Sequence, residues 1–259
     1  MSKVVEQIEN TLIELKGHGV LENEIIKRYE ERILSLKNAE LSYVFAKNIE
    51  GADVKAHGKV VIESKDPEWN YMFAEDVEGA DAKAHGQVIM ESKDPEWNYN
   101  FAFGIEGADI KAHEKVVLES KEPEWNYCFA RNSKGADVKA HEKVVIESKN
   151  PKWNYCFAKE VKGADVKAHE KVVIESKNPE WNYRFATDVK GADVMAHGRV
   201  IVESKDSRFN DWFKEDFEDE YKILKENNPI DDAYNFLDNA LDEMIKENNE
   251  ENKSMQKRF

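Results

Sequence analysis

The pattern YxFAxxxxGADxxAHxxVxxESKxPxWN recurs every 28 residues, beginning at Tyr43, Tyr71, Tyr99, Tyr127, Tyr155 and Tyr183. Six copies fill residues 43–210, and the last closes with Ser207 for Pro and Phe209 for Trp. Copies four and five differ at only four places, Arg131/Lys159, Asn132/Glu160, Ser133/Val161 and Lys152/Glu180. The flanks hold degenerate copies: Lys37 to Ser42 stands where KNPEWN stands later, and Asp211-Trp212-Phe213 stands where YCF stands. A unit this short cannot bury its apolar face alone, so tandem copies must stack on one another.

Each copy carries two helix starts. Asn150 can cap a helix whose first residue is Pro151, because an Asn side chain accepts orphan N–H groups and Pro has none to lose. Trp153, Phe157 and Val161 then recur at helical spacing, with Asn154 and Ala158 on the same side. Gly163 is expected to end this helix in the left-handed conformation. Asp165 caps a second helix, VKAHEKVVIESK, running to the next Asn-Pro. A strand over KVVIES would give a leucine-rich-repeat-like unit, but no leucine framework exists, nothing breaks the chain from Asp165 to Lys177, and VKAHEKV is poor in strand formers. The fold expected is all-α: an α-solenoid of six 28-residue two-helix repeats with helical caps at both ends. Residues 1–42 form the N-terminal cap, with helices over 4–16 and 22–37. Residues 211–259 form an acidic C-terminal cap, with helices over 211–227 and 230–248 and a frayed tail.

Charge and cysteine usage narrow the function classes. The net charge is −15, with −8 of it in residues 211–259, which opposes nucleic-acid binding. No apolar run approaches the ~20 residues that span a bilayer, and the N-terminus is not a signal peptide because acids interrupt its apolar pattern. Two cysteines, Cys128 and Cys156, suit a reducing, cytoplasmic compartment. They occupy one position of neighbouring copies, where helix spacing of ~8–10 Å exceeds disulfide reach, so both are expected as free thiols.

The run FAKEVKGADVKAHEKVVIESKNPEWNYRFA resembles a helical-hairpin tandem repeat of uncharacterised clostridial and phage proteins, in which KALEK is common where this chain has KAHEK. The resemblance covers 43–210. It implies an α-superhelix, distantly similar to TPR and HEAT arrays that bind partners, and it implies no reaction.

The histidines His57, His85, His113, His141, His169 and His197 form a ladder at one repeat position. At ~100° per residue, His141 falls in the centre of its helix's apolar arc, so these are expected as packed residues bonded to partners such as Asn154, Glu or a carbonyl. Equivalent helices ~8–10 Å apart cannot bring two rings within the ~4 Å that a shared zinc needs. Six identical bases are not an active site either, since catalysis needs an asymmetric set of roles. No metal, cofactor or catalytic residue is expected. Acid could loosen the array by charging the ladder.

Recognition is expected where copies differ. The residue after Tyr is Val44, Met72, Asn100, Cys128, Cys156 or Arg184. The residue after Phe-Ala is Lys47, Glu75, Phe103, Arg131, Lys159 or Thr187, and the next is Asn48, Asp76, Gly104, Asn132, Glu160 or Asp188. These positions project to one arc opposite the Trp/Phe/Val stripe, so Met72, Glu75, Asp76, Asn100, Phe103, Cys128, Arg131, Asn132, Cys156, Lys159 and Arg184 are candidate partner-binding residues. Phe103 stands out as an aromatic anchor. The residue before Gly switches from Glu50, Glu78 and Glu106 to Lys134, Lys162 and Lys190, a charge gradient suited to steering a protein partner. The expected function is a non-catalytic protein-binding scaffold. The alternative is a phage- or mobile-element-encoded inhibitor of a bacterial defence nuclease, acting through the C-terminal acids Asp231, Asp232, Asp238 and Asp242.

Overall fold

The computed structural model describes residues 3–17 and 23–226, together with Leu237, Ala240, Leu241, Met244 and Ile245. The described residues are all-helical, in successive packed pairs. Helices α1 (Lys3–Gly17) and α2 (Asn23–Leu36) precede six hairpins: α3 (Ala39–Asn48) with α4 (Val54–Ser64), α5 (Pro67–Asp76) with α6 (Ala82–Ser92), α7 (Pro95–Gly104) with α8 (Ile110–Ser120), α9 (Pro123–Asn132) with α10 (Val138–Glu147), α11 (Pro151–Glu160) with α12 (Val166–Glu175), and α13 (Pro179–Asp188) with α14 (Val194–Ser204). Helices α15 (Ser207–Asp216) and α16 (Glu218–Glu226) follow. The folded unit therefore runs from Pro to Lys, and a frame drawn from Tyr to Asn cuts through the first helix of every hairpin. None of these helices is long and apolar enough to cross a membrane.

Two compact units divide the chain: Met1–Ser148 with Glu160–Ala164, and Lys149–Lys159 with Asp165–Phe259. In the first, the odd-numbered helices α3 to α9 neighbour one another, as do the even-numbered helices α4 to α10. In the second, α13 packs beside α15 and α12 beside α14, and α16 closes over α14.

The caps follow the sequence signals. Asp66 accepts from the N–H groups of Glu68 and Trp69 ahead of Pro67, and Asn178 does the same for Glu180 and Trp181. Asp137 accepts from the Ala140 N–H at the start of α10. Glu122 is the exception: its longer side chain makes no cap bond to α9. Replacing it with Asp, as at Asp66 and Asp94, should supply the missing acceptors and raise stability by about 1 kcal/mol, read as a shift in the urea midpoint at constant m-value.

Two helix ends depart from expectation. Gly163 does sit at φ +86, but α11 already stops at Glu160. The equivalent α13 shows why. Val189 turns to an extended conformation, φ −96 and ψ 117, and buries its side chain, so packing stops the helix. Gly191 then occupies the left-handed corner of a turn closed by the Ala192 N–H on the Val189 carbonyl. The second helices end on a lysine instead: Lys37, Lys65, Lys93, Lys121, Lys149, Lys177 and Lys205 all have φ between 49 and 60. The preceding serine secures this end, as Ser64 Oγ donates to the Val61 carbonyl and accepts from the Asp66 N–H. The segment expected as one helix over 211–227 is broken at Phe217, with φ −137 and ψ 58, and its first half belongs to α15, which starts at Ser207. The helix expected over 230–248 lies outside the described residues except for Leu237, Ala240, Leu241, Met244 and Ile245, and the frayed tail lies wholly outside them.

Candidate functional site

The histidine ladder is buried throughout, with His113 the most exposed of the six at 1%. Each ring packs against the Phe twelve residues earlier on its partner helix, with centroids 4.9–5.3 Å apart. In five of the six the polar partner is an asparagine of the same hairpin. His141 Nδ1 lies 2.8 Å from Asn126 Oδ1, and His85, His113, His169 and His197 repeat the bond to Asn70, Asn98, Asn154 and Asn182. Asn154 is thus the partner of His169 and not of His141, because the hairpin brings together positions fifteen residues apart in the backward direction.

The asparagine fixes the imidazole tautomer. Asn126 Nδ2 donates to the carbonyls of Val117 (3.0 Å) and Glu122 (2.8 Å). Its Oδ1 is then the acceptor, so the histidine proton sits on Nδ1 and Nε2 presents a lone pair. The residue after histidine is Gly58, Gly86, Glu114, Glu142, Glu170 or Gly198 along the chain. Glu114 Oε1 accepts from the Asp137 N–H at 2.6 Å and lies 3.4 Å from His141 Nε2. Glu170 stands likewise toward Asp193 and His197, and Glu30 of α2 toward Asp53 and His57. Helix α2 therefore takes the place of a second helix one repeat ahead of α4. Burial pushes His85, His113 and His197 down to about 4. His57 and His141 are also lowered by burial, against the opposing pull of Glu30 and Glu114. These five rings are neutral at pH 7, and the contacts of His57, His141 and His197 with glutamate are not ion pairs there. No three His, Cys, Asp or Glu side chains among the described residues are placed to hold a metal ion.

The first helices carry a second ladder, which sequence reasoning missed. The hydroxyl of five of the six repeat tyrosines bonds the residue 33 positions on, and at Tyr43, Tyr127 and Tyr155 a cation four positions on joins it. Tyr43 donates to Asp76, and Lys47 Nζ lies 2.8 Å from both. Tyr155, Asp188 and Lys159 repeat this set. Tyr127 donates to Glu160, which pairs with Arg131 at 3.1 Å. Tyr99 accepts from Asn132. Gly104 has no side chain to offer Tyr71, which turns to Glu75. Desolvation, followed by the carboxylate bond, pushes Tyr43, Tyr71 and Tyr183 up to about 12.

Several candidate binding residues are therefore inter-repeat ties as well. Asp76, Arg131, Asn132 and Lys159 bridge neighbouring first helices, and Glu75 bonds within its own helix. The position after Tyr lies nearer the core than the helical projection implied. Val44 is fully buried, Met72 packs into the core, and Asn100, Cys128 and Cys156 are half-buried; only Arg184 is exposed. Neither Cys128 nor Cys156 is in a disulfide. Phe103 is 39% exposed and lies against Tyr99 and Phe129, with centroids at 4.9 and 5.1 Å. The acids Asp231, Asp232, Asp238 and Asp242 lie outside the described residues.

Between α13 and α15 the first-helix surface opens into a cavity of about 540 Å³ lined by Tyr183, Arg184, Thr187, Asp188, Phe209, Trp212 and Asp216, with Glu180 and Arg208. The chain matches no known protein family, no curated protein and no solved structure.

Proposed function

We propose that the chain is a non-catalytic scaffold that binds a protein through the outward face of the first helices. The observation that carries this reading is the contrast between two repeat positions. The asparagine, histidine and phenylalanine positions are buried and nearly constant. The position after Phe-Ala is exposed in all six hairpins and runs Lys47, Glu75, Phe103, Arg131, Lys159, Thr187. Varied chemistry on a constant frame is how repeat arrays acquire partners. Phe103 in the first unit and Arg184 in the second are the first-helix side chains best suited as contacts. Phe103 is a large apolar ring in solvent, and Arg184 extends from a position buried or half-buried in the other hairpins.

The test compares the wild type with the double variant Phe103→Ala, Arg184→Ala as affinity baits in extract from the cells that express the chain. A protein held by the wild type and lost about ten-fold or more from a variant of unchanged melting temperature is the expected result. A protein held equally by both, or none above background, overturns the reading.

A further inference from the structure

The cavity between α13 and α15 holds Tyr183 and Asp216, which among the described residues are the one inter-helix Tyr–carboxylate pair of the first-helix ladder with no cation of its own. Tyr43–Asp76, Tyr127–Glu160 and Tyr155–Asp188 are each completed by the residue four positions after the tyrosine: Lys47, Arg131 and Lys159. Tyr183 donates to Asp216 in the same way. The fourth residue there is Thr187, whose one hydroxyl proton has the Tyr183 and Arg184 carbonyls and Asp188 Oδ1 as acceptors, each at 3.1 Å. No described lysine or arginine forms an ion pair with Asp216. The two arginines in the lining are committed elsewhere. Arg184 pairs with Glu180 at 3.0 Å and lies over Trp181, and Arg208 pairs with Asp206 at 3.2 Å and lies over Phe209.

A second change coincides with the first. The tyrosines 43, 71, 99 and 155 each face the tryptophan of the next Pro-x-Trp at 5.5–5.7 Å. At the last step that position is Phe209, 6.2 Å from Tyr183, and an indole reappears three residues on as Trp212, 5.7 Å from Tyr183 and edge-on to Phe209 at 5.3 Å. Trp212 is 47% exposed. Three aromatic rings and the Asp216 carboxylate thus border the space that a lysine side chain fills in the α3–α5 pair. Aromatic faces and a carboxylate together attract an ammonium group.

We propose that this cavity is a binding site for a lysine side chain presented by a partner protein, its ammonium taking the place that Lys47 and Lys159 hold intramolecularly. The proposal rests on the scaffold reading only for the source of the lysine. The net charge of −15 favours such a partner at long range. Lys47 and Lys159 favour a protein side chain over a free polyamine, because both show a lysine stem reaching this position.

The test needs no partner. The full-length chain is labelled with ¹⁵N, and the Trp212 indole signal is assigned with Trp212→Phe. It is titrated with Nα-acetyl-lysine methylamide, with the norleucine analogue, and with spermidine. The Trp212 signal should shift saturably with the lysine probe and not with norleucine. Asp216→Asn should weaken binding about ten-fold, as loss of a hydrogen bond to a charged group implies. Thr187→Lys should fill the site from within, abolishing binding while the melting temperature holds or rises, which separates occlusion from unfolding. An equal norleucine response, no lysine response, or unchanged binding in Thr187→Lys overturns the proposal. A response to spermidine alone overturns the assignment to a protein side chain. Failure here leaves the affinity comparison of the scaffold reading standing, and failure of that comparison leaves this titration valid.

Discussion

Replacing Asn98 with Ala should cost about 3 kcal/mol or more, and replacing Asn126 with Ala should cost about 1 kcal/mol less than that. Both asparagines are fully buried and make the same three bonds. Removing either breaks two bonds to carbonyls that keep other donors, and strands the Nδ1–H of a buried imidazole. The difference lies in what the imidazole can do next. His141 has Glu114 3.4 Å from Nε2, so its proton can move to that nitrogen and find a carboxylate. Beside His113 the corresponding position is Gly86, which offers no acceptor, and a Cβ built there would stand 3.4 Å from Nε2. The first hairpin carries a related combination: Ser42 stands in place of the asparagine, and Glu30 of α2 lies 3.4 Å from His57 Nε2. Urea unfolding of the two variants measures the comparison, and equal losses would remove the tautomer argument.

The local signals of the fold were legible because each sits within a few residues of what it controls. Asn150-Pro151 and Asp165 announce helix starts by chemistry that acts over one turn. Helix ends were less legible, because Val161 and its equivalents stop the helix by burying a side chain, which only tertiary contact decides. The left-handed lysines were invisible, since nothing in a lysine marks it for φ near +57 and the stabilising serine acts by donating to one backbone carbonyl and accepting from one backbone N–H. Periodicity showed that the histidines face inward but not which asparagine meets them: that depends on hairpin register, and the nearer choice was wrong. The tyrosine ladder spans 33 residues and joins separate hairpins, so the variable positions looked like free surface when several are ties. The loss of a cation at Thr187 and the move of an indole from position 209 to 212 stand in the sequence. They acquire meaning only once Tyr183 and Asp216 are known to meet.

Acid should unfold the chain through the histidine ladder, chiefly between pH 6.5 and 4. In the unfolded chain a histidine takes its proton near pH 6.5. In the fold, burial holds His85, His113 and His197 at about 4. The unfolded state therefore binds more protons across this window, and stability falls as the pH is lowered. It is fully present above about 6.5, and each such histidine withdraws about 2 kcal/mol by pH 5. Three of them together approach the whole stability of an ordinary domain, about 5–15 kcal/mol. The neighbouring acids do not reverse the sign. Asp81 and Asp109 pull His85 and His113 upward, as Glu170 and Asp193 do His197, yet desolvation dominates at all three sites. The decisive comparison is His85→Asn, which keeps a donor near the Asn70 oxygen but cannot titrate. At pH 8 this variant should be less stable than the wild type, because it leaves a cavity. By pH 5 the gap should shrink by about 2 kcal/mol, the proton cost that only the wild type still carries. Carboxylates that titrate in both chains cancel from the difference. Urea unfolding at half-unit steps from pH 8 to 5 gives the gap directly, and two parallel curves would mean that the ladder is not what acid attacks.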